Sequence, residues 1–431
     1  MTSFFRINWL LPIILACTGL SATELDVIYE WKYVDYVWQS TDQKQDAIEQ
    51  GVYNLSRILM FDQQPLPDGR RMVTTPKFYN NPATLSTISD ATGDGGPLLA
   101  PYPDWSWHNK SSGDCSGITS VNRAVIDDCG RIWIVDSGTI GNELICPAKI
   151  LAFNSTTDEL LESFEFSSDL LRGPWNNDTG ILEIQVVECS ANACDDYWVY
   201  IGDVSSYGLV IFNGEKAWRL DDEIFLPSEA GSQFSIAGEN FTMGIGPSGF
   251  LLTRDGYMKE KYLMFKALSA FKTYAASLED MHNTQYSGSN VTYYVSNWTA
   301  SSHEVGKVFT IYGGIVITGF TDETELVCWN LQNPLDNDYV AVLEQNETTL
   351  QYISSVKPII EDGSDIETVW VLTNRFQKYV LGTMNFDEIN FRMITAEVAA
   401  LVKDTVCEPE DHEVLDSILD INFLYLKTVS V

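Results

Sequence analysis

The chain has 431 residues, 45% of them hydrophobic and 12% aromatic, and a formal net charge of -34. That apolar content excludes a disordered chain, and 29 glycines and 15 prolines without a period exclude a collagen-like one. Sixty acids against 26 bases exclude non-specific binding to nucleic acid, which needs Lys and Arg against phosphate, and disfavour docking on anionic lipid.

In chain order, residues 1–22 carry one charge, Arg6, then an apolar run from Trp9 to Leu20 and the small residues Ser21 and Ala22. This is the order of a secretory signal peptide, and the run is too short to span a bilayer. The segment 40–50 (STDQKQDAIEQ) has helical character, and 260–272 is a second helix candidate. Elsewhere short Val/Ile/Tyr/Trp runs are cut by Gly, Asp, Asn and Ser, an all-β pattern. A faint repeat runs through it. The unit 70–89 reads as two strands around Asn80 and Asn81. The unit 125–138 passes an acidic turn with Gly130 into a strand centred on Trp133. Residues 197–213 form a hairpin with Ser205 and Ser206 near its tip. Further units cover 243–268, 308–330 and 359–374, the last with Asp362 and Gly363 in its turn and Trp370 in its strand.

The six units start near 70, 120, 181, 243, 308 and 354, at intervals of 46 to 65 residues. A four-stranded propeller blade with its loops takes about 40–50 residues. The expectation is therefore one six-bladed β-propeller over 23–407, with 408–431 as a C-terminal extension. A ring removes the open edges that six separate sheets would present. The alternative, two β-sandwich domains, lacks a Pro/Ser-rich linker between halves. Ring closure is expected from an extended segment around Trp31 to Val37 lying against the last blade, and Trp133 and Trp370 are expected at equivalent blade positions.

Seven cysteines follow the leader: Cys115, Cys129, Cys146, Cys189, Cys194, Cys328 and Cys407. None makes a CxxC pair, so zinc and thioredoxin chemistry lack their spacing. In an oxidising compartment three disulfides and one odd thiol are expected. Cys328 pairs with Cys407, the two lying alone in the last third. Cys115, Cys129 and Cys146 supply three more half-bridges, and Cys189 or Cys194 the fourth. Eight N-x-S/T sequons, at Asn54, Asn109, Asn154, Asn177, Asn240, Asn290, Asn297 and Asn346, are candidate glycosylation sites, each requiring exposure.

Catalytic motifs are sparse. GDCSG (113–117) resembles a nucleophile elbow but reads as a disulfide cysteine in a turn. His108, His282, His303 and His412 are isolated and read as lone surface histidines, so no metal site is expected. DATGDGG (90–96) lacks the ligand alternation of a calcium loop. GIGPSGF (244–250) has the wrong spacing for a serine elbow around Ser248 and reads as a β-turn. No Walker A or dinucleotide fingerprint occurs, so no cofactor is expected.

Several segments together carry a family resemblance. They are YEWKYVDYVW (29–38), QDAIEQGVY (45–53), GDGGPLLAPYPDWSW (93–107), DCSGITSVNRAVIDDCGRIWIVDSG (114–138), CDDYWVYIGDVSSYGLVIF (194–212), FSIAGENF (234–241), VCWN (327–330), NFRMITAEV (390–398) and DTVC (404–407). The chain resembles the insect major royal jelly and Yellow proteins. GDGGPLLAPYPDWSW resembles the royal jelly branch, and CDDYWVYIGDVSSYGL and FSIAGENF the Yellow branch. The resemblance implies a secreted six-bladed propeller with six mature cysteines; a seventh cysteine and the 408–431 tail depart from that pattern.

The resemblance also implies a pocket. Amine-binding members combine a hydroxyl, an asparagine and, two residues on, a phenylalanine after a Trp-containing strand. In VWVLTNRF the matching residues are Asn374 and Phe376; the hydroxyl maps to Ser354 across an insertion at 361–367. The expected ligand is a small cationic or aromatic molecule in the channel, drawn by the acidic charge. Two function classes follow: a secreted ligand-binding, nutritive, glandular or cuticular glycoprotein, or a dopachrome-converting enzyme such as some Yellow relatives are linked to. No acid–base pair for the second is evident from spacing.

Overall fold

The computed structural model describes residues 25–108, 113–176, 178–254, 258, 260–286 and 290–409. The leader at 1–22, Asn109, Asn177, His412 and the tail beyond 409 lie outside the described residues.

Six four-stranded antiparallel sheets form the blades. Their innermost strands are Asp62–Pro65, Val121–Ile126, Leu182–Ser190, Pro247–Leu252, Glu304–Phe309 and Tyr352–Ile360. Each touches the next in cyclic order, and the sixth touches the first, so the chain is a six-bladed β-propeller. The core is correspondingly divided into six apolar clusters, one between each pair of neighbouring blades. Alternate residues of one strand serve opposite clusters. Leu263 and Phe265 face blade 3, whereas Tyr262 and Met264 face blade 5. Both faces of such a strand are buried, as happens wherever sheets stack on both sides.

That double burial corrects the helix expected at 260–272. Tyr262–Ala267 is a strand with all six residues buried. A continuous run of apolar residues has no period-2 signature, so it imitates a short helix. The expected helix at 40–50 is present as Thr41–Glu49, capped by Ser40, whose hydroxyl accepts from Gln43 N.

The ring is closed by Asp26–Trp31, which pairs antiparallel with Phe391–Glu397 and becomes the outer strand of blade 6. The closing strand is therefore earlier than expected; Val34 and Tyr36 follow it into the core, and Tyr36 bridges Leu99 of blade 1. Trp31 is fully buried and its indole N–H donates to Pro97 O at 2.7 Å. Gly96, at φ +134°, leaves room for it: a Cβ there would lie 2.6 Å from Glu30 O and from the Trp31 ring. Trp133 and Trp370 occupy the second strands of blades 2 and 6, and each faces the following blade.

The disulfides are Cys115–Cys146, Cys129–Cys194 and Cys328–Cys407, and Cys189 carries the odd thiol. Cys115 of GDCSG is thus a bridge half-cystine. GIGPSGF forms a bulged strand rather than a β-turn: the register shifts between Ser248 and Leu251, with Gly249 at φ +73°. The innermost strands of blades 2, 3, 5 and 6 carry a shift of the same kind. No helix among the described residues is long and apolar enough to cross a membrane.

Candidate functional site

The innermost strands project polar side chains into the channel, because their other neighbours are the packed blade interfaces. Four charges from four blades meet there. The Arg123 guanidinium bonds Glu183 through Nε, lies 3.4 Å from Asp62 and donates to Ser354 O at 3.0 Å. Asp62 also accepts from Ala124 N at 3.1 Å, and Lys357 Nζ sits 3.8 Å from its carboxylate while reaching Ala124 O. Burial raises the pKa of Glu183, with Arg123 acting against it, and burial lowers that of Lys357, with Asp62 acting against it. A second group joins blades 4 and 5: Glu304 lies 3.2 Å from Lys266 and 2.8 Å from Lys307. Burial alone would raise the Glu304 pKa, but the two ammonium groups hold it down to about 2. Burial pushes Lys266 down to about 8.

Where the innermost strands end, the channel opens into a cavity of about 800 Å³. That is within the roughly 300–1,000 Å³ usual for small-ligand sites. Its polar wall sets Arg123, Lys307 and Lys357 beside Asp127, Asp128, Glu188 and Glu367, with Gln64 and Gln185 between; its apolar wall includes Val125, Val187, Leu252, Val308 and Phe309. The interior is therefore not the acidic shell that the overall charge suggests, since buried bases offset the channel acids.

The other end is closed. A hairpin, Gln233–Ile236 and Glu239–Thr242, leaves the ring between blades 3 and 4 and reaches the short helix Phe376–Leu381 of blade 6. Phe234 stacks on His303 at 3.8 Å between ring centres, and His303 bonds Asp322 through Nδ1 and Gly231 O through Nε2. Phe241 packs on Phe376 at 5.9 Å, and Glu239 pairs with Lys378 at 3.0 Å.

Ser354, Asn374 and Phe376 all lie on blade 6, on its first strand, at the end of its second strand and on the helix that follows. Ser354 Oγ donates to Leu372 O at 3.3 Å, and Asn374 Nδ2 donates to Met60 O at 2.9 Å. Phe376 packs on Tyr352 at 4.8 Å. All three are buried, and none lines the open cavity. Asn374 Oδ1 is buried without a hydrogen-bond partner. The cavity's polar wall was not legible beforehand, because Arg123, Lys307 and Lys357 sit in unremarkable strand sequences.

Of the histidines, His108 and His303 are buried rather than at the surface. Burial lowers the His108 pKa to about 4 while its Nε2 bonds Tyr102 O. His282 bonds Glu188 at 2.8 Å and stacks on Trp198. Asp127, Cys129 and Cys189 converge within 4.8 Å, but Cys129 is bridged to Cys194 and offers no thiolate to a metal. Among the sequons, Asn54, Asn240, Asn290 and Asn297 are exposed. Asn154 and Asn346 are half-buried, and each uses its Oδ1 to accept two backbone N–H groups.

A family model described as major royal jelly protein matches residues 119–407. Major royal jelly protein 8 of Apis mellifera is 34% identical over 427 residues, covering 93% of this chain and 99% of that protein. Dopaminechrome tautomerase of Drosophila melanogaster is 26% identical over 417 residues, covering 91% and 86%. Among solved structures, an α-L-arabinanase of Penicillium chrysogenum overlays with a TM-score of 0.43 at 11% identity, covering 88% of this chain and 99% of that one.

Proposed function

The chain belongs to the major royal jelly protein family, and from that premise we propose that it is a secreted glycoprotein that holds a small amphipathic aromatic molecule in its propeller channel. The observation that carries this reading is the cavity of about 800 Å³, with an apolar wall on one side and hydrogen-bonding and charged groups on the other. A ring fits against Val125, Val187 and Phe309, and its polar substituents face Gln64, Gln185 and Lys357. The three disulfides and the exposed sequons support passage through an oxidising, glycosylating compartment.

Biogenic amines remain the first ligands to test. For them a second seat is favoured by the orphaned Asn374 Oδ1, an acceptor suited to an ammonium, two residues before Phe376, whose ring packs on Tyr352. This seat requires the hairpin over it to lift. Calorimetric titration with serotonin, dopamine, octopamine and indole-2-carboxylate distinguishes the seats. Lys357→Met weakens binding if the open cavity is used, and Asn374→Ala weakens it if the closed end is used. Failure of all four compounds to bind below millimolar would overturn the ligand-binding reading in favour of a nutritive or structural role.

One observation favours an enzyme reading beside it. Lys357 lies in the cavity wall with burial lowering its pKa and Asp62 opposing that, which makes its proton easier to exchange with a bound ring. A relative carries the name dopaminechrome tautomerase, whose reaction moves a proton on such a ring. The wild type should then consume dopaminechrome faster than buffer does, and Lys357→Met should not. Equal rates for buffer and wild type sink this second reading and leave the first standing.

A further inference from the structure

Three cysteines meet at one point between blades 2 and 3. Cys129 sits in the turn Asp127–Gly130 of blade 2. Cys189 is near the end of the innermost strand of blade 3, Leu182–Ser190, and Cys194 is near the start of the next strand, Ala193–Asp203. Cys129 is bonded to Cys194, yet its sulfur also lies 3.1 Å from that of Cys189. A free sulfur in contact with a disulfide sulfur is the starting arrangement for exchange, which proceeds by attack of a thiolate on one sulfur of the bond.

We propose that Cys129, Cys189 and Cys194 form a thiol–disulfide exchange site, in which Cys189 attacks Cys129 and releases Cys194 as the free thiol. The step balances without an oxidant. Cys189 loses its proton to solvent; its sulfur forms a bond to Cys129 Sγ as the Cys129–Cys194 bond breaks; the departing Cys194 thiolate takes up a proton. One disulfide and one thiol stand on each side.

The scaffold tolerates both states. Either bond staples the blade 2 turn to the blade 3 hairpin, and the sequence separations are 65 and 60 residues, so loop-closure entropy does not choose between them. The register jumps from Cys189↔Tyr197 to Ser190↔Ala193, so Cys194 lies in the part of its strand with no register partner and can move without breaking a ladder pair. What changes is where the thiol is. Cys189 and Cys194 are both half-buried; Cys189 lines the cavity, and Cys194 follows the exposed hairpin tip Ser190–Ala193. Exchange therefore moves the thiol from a residue of the cavity wall to one beside the exposed hairpin tip.

The surroundings set the pH dependence. Arg131 Nη2 lies 3.3 Å from Cys189 Sγ and favours its thiolate. Burial, then Asp127, and more weakly Asp128 oppose that and leave the thiol pKa raised. At neutral pH the attacking form is the minority, so exchange accelerates as pH rises.

The test uses the wild-type protein. Samples held at about pH 6, 7 and 8 are quenched in acid and alkylated unfolded but unreduced; they are then reduced, alkylated with a second label and mapped by mass spectrometry. The expected result is first label on both Cys189 and Cys194, with the mixture reached about tenfold faster per pH unit. First label confined to Cys189 at every pH and time overturns the proposal. Cys194→Ser provides a second arm, in which Cys129 and Cys189 should be found bridged. If that variant folds, by circular dichroism, with both sulfurs free under air, the proposal also fails; if it does not fold, the wild-type map decides.

Discussion

Arg123→Met removes the cation at the centre of the channel while keeping an unbranched apolar stem. Asp62 is fully buried and Glu183 is 3% exposed. Asp62 keeps Ala124 N and stays 3.8 Å from Lys357, so most of the loss falls on Glu183, which loses its ion pair with Arg123 and keeps only the weaker pull of Lys357. Breaking a buried pair by removing one partner costs about 3–5 kcal/mol. Burial already raises the Glu183 pKa, and loss of Arg123 raises it further. A carboxyl whose folded pKa lies above its unfolded one binds a proton more readily when folded. The penalty is therefore full above the folded value and shrinks as pH falls through it. Urea unfolding followed by tryptophan fluorescence should show a loss of several kcal/mol at pH 7 that narrows towards pH 5. Arg123→Met with Glu183→Leu should recover most of it, since the orphaned charge is gone. A loss below about 1 kcal/mol at pH 7, or no narrowing on acidification, refutes the account of the channel as a mutually dependent charge set.

Glu304 gives the opposite sign. Its folded pKa of about 2 is below the ordinary 4.5, so it contributes stability above that ordinary value and loses it as pH falls towards 2. The contribution is of order 3 kcal/mol, and Glu304→Gln should flatten the stability–pH curve over that window. Trp31→Ala empties the ring-closing seam and should cost about 3–5 kcal/mol in the same unfolding assay. Gly96→Ala should lower the midpoint too, because the added Cβ meets Glu30 O and the Trp31 ring at 2.6 Å. Replacing Cys328 and Cys407 by serine together should cost about 2–5 kcal/mol, with native circular dichroism retained in the folded fraction.

The ring was legible because a blade repeats a physical unit: an inner strand, an acidic or glycine turn, and a strand carrying a large apolar residue. Trp133 and Trp370 marked two such units, and both face the following blade. The strand Tyr262–Ala267 was illegible for the reason that makes it stable. Its alternate faces serve two different clusters, so burial is continuous and no period survives in the sequence. The closing strand lies earlier than the Trp31–Val37 segment because Trp31 ends it rather than opening it; the strand pairs from Asp26 onwards.

The site was less legible, since its parts lie far apart in sequence. Arg123 and Ser354 are 231 residues apart, and Asn374 and Met60 are 314 apart. Only ring closure brings such residues together, so no local spacing announces them. Overall charge misled for a related reason. A net charge of -34 is a property of the exterior, where acids stay hydrated. Channel charges must instead be paired, because an unpaired buried ion is costly. Hence Arg123, Lys266, Lys307 and Lys357 gather inside an acidic protein. Their presence follows from the acids facing the axis, Asp62, Glu183 and Glu304, rather than from composition. A ligand entering the cavity meets that balanced set, so its affinity depends on complementing local dipoles and bases more than on its attraction to the protein's total charge.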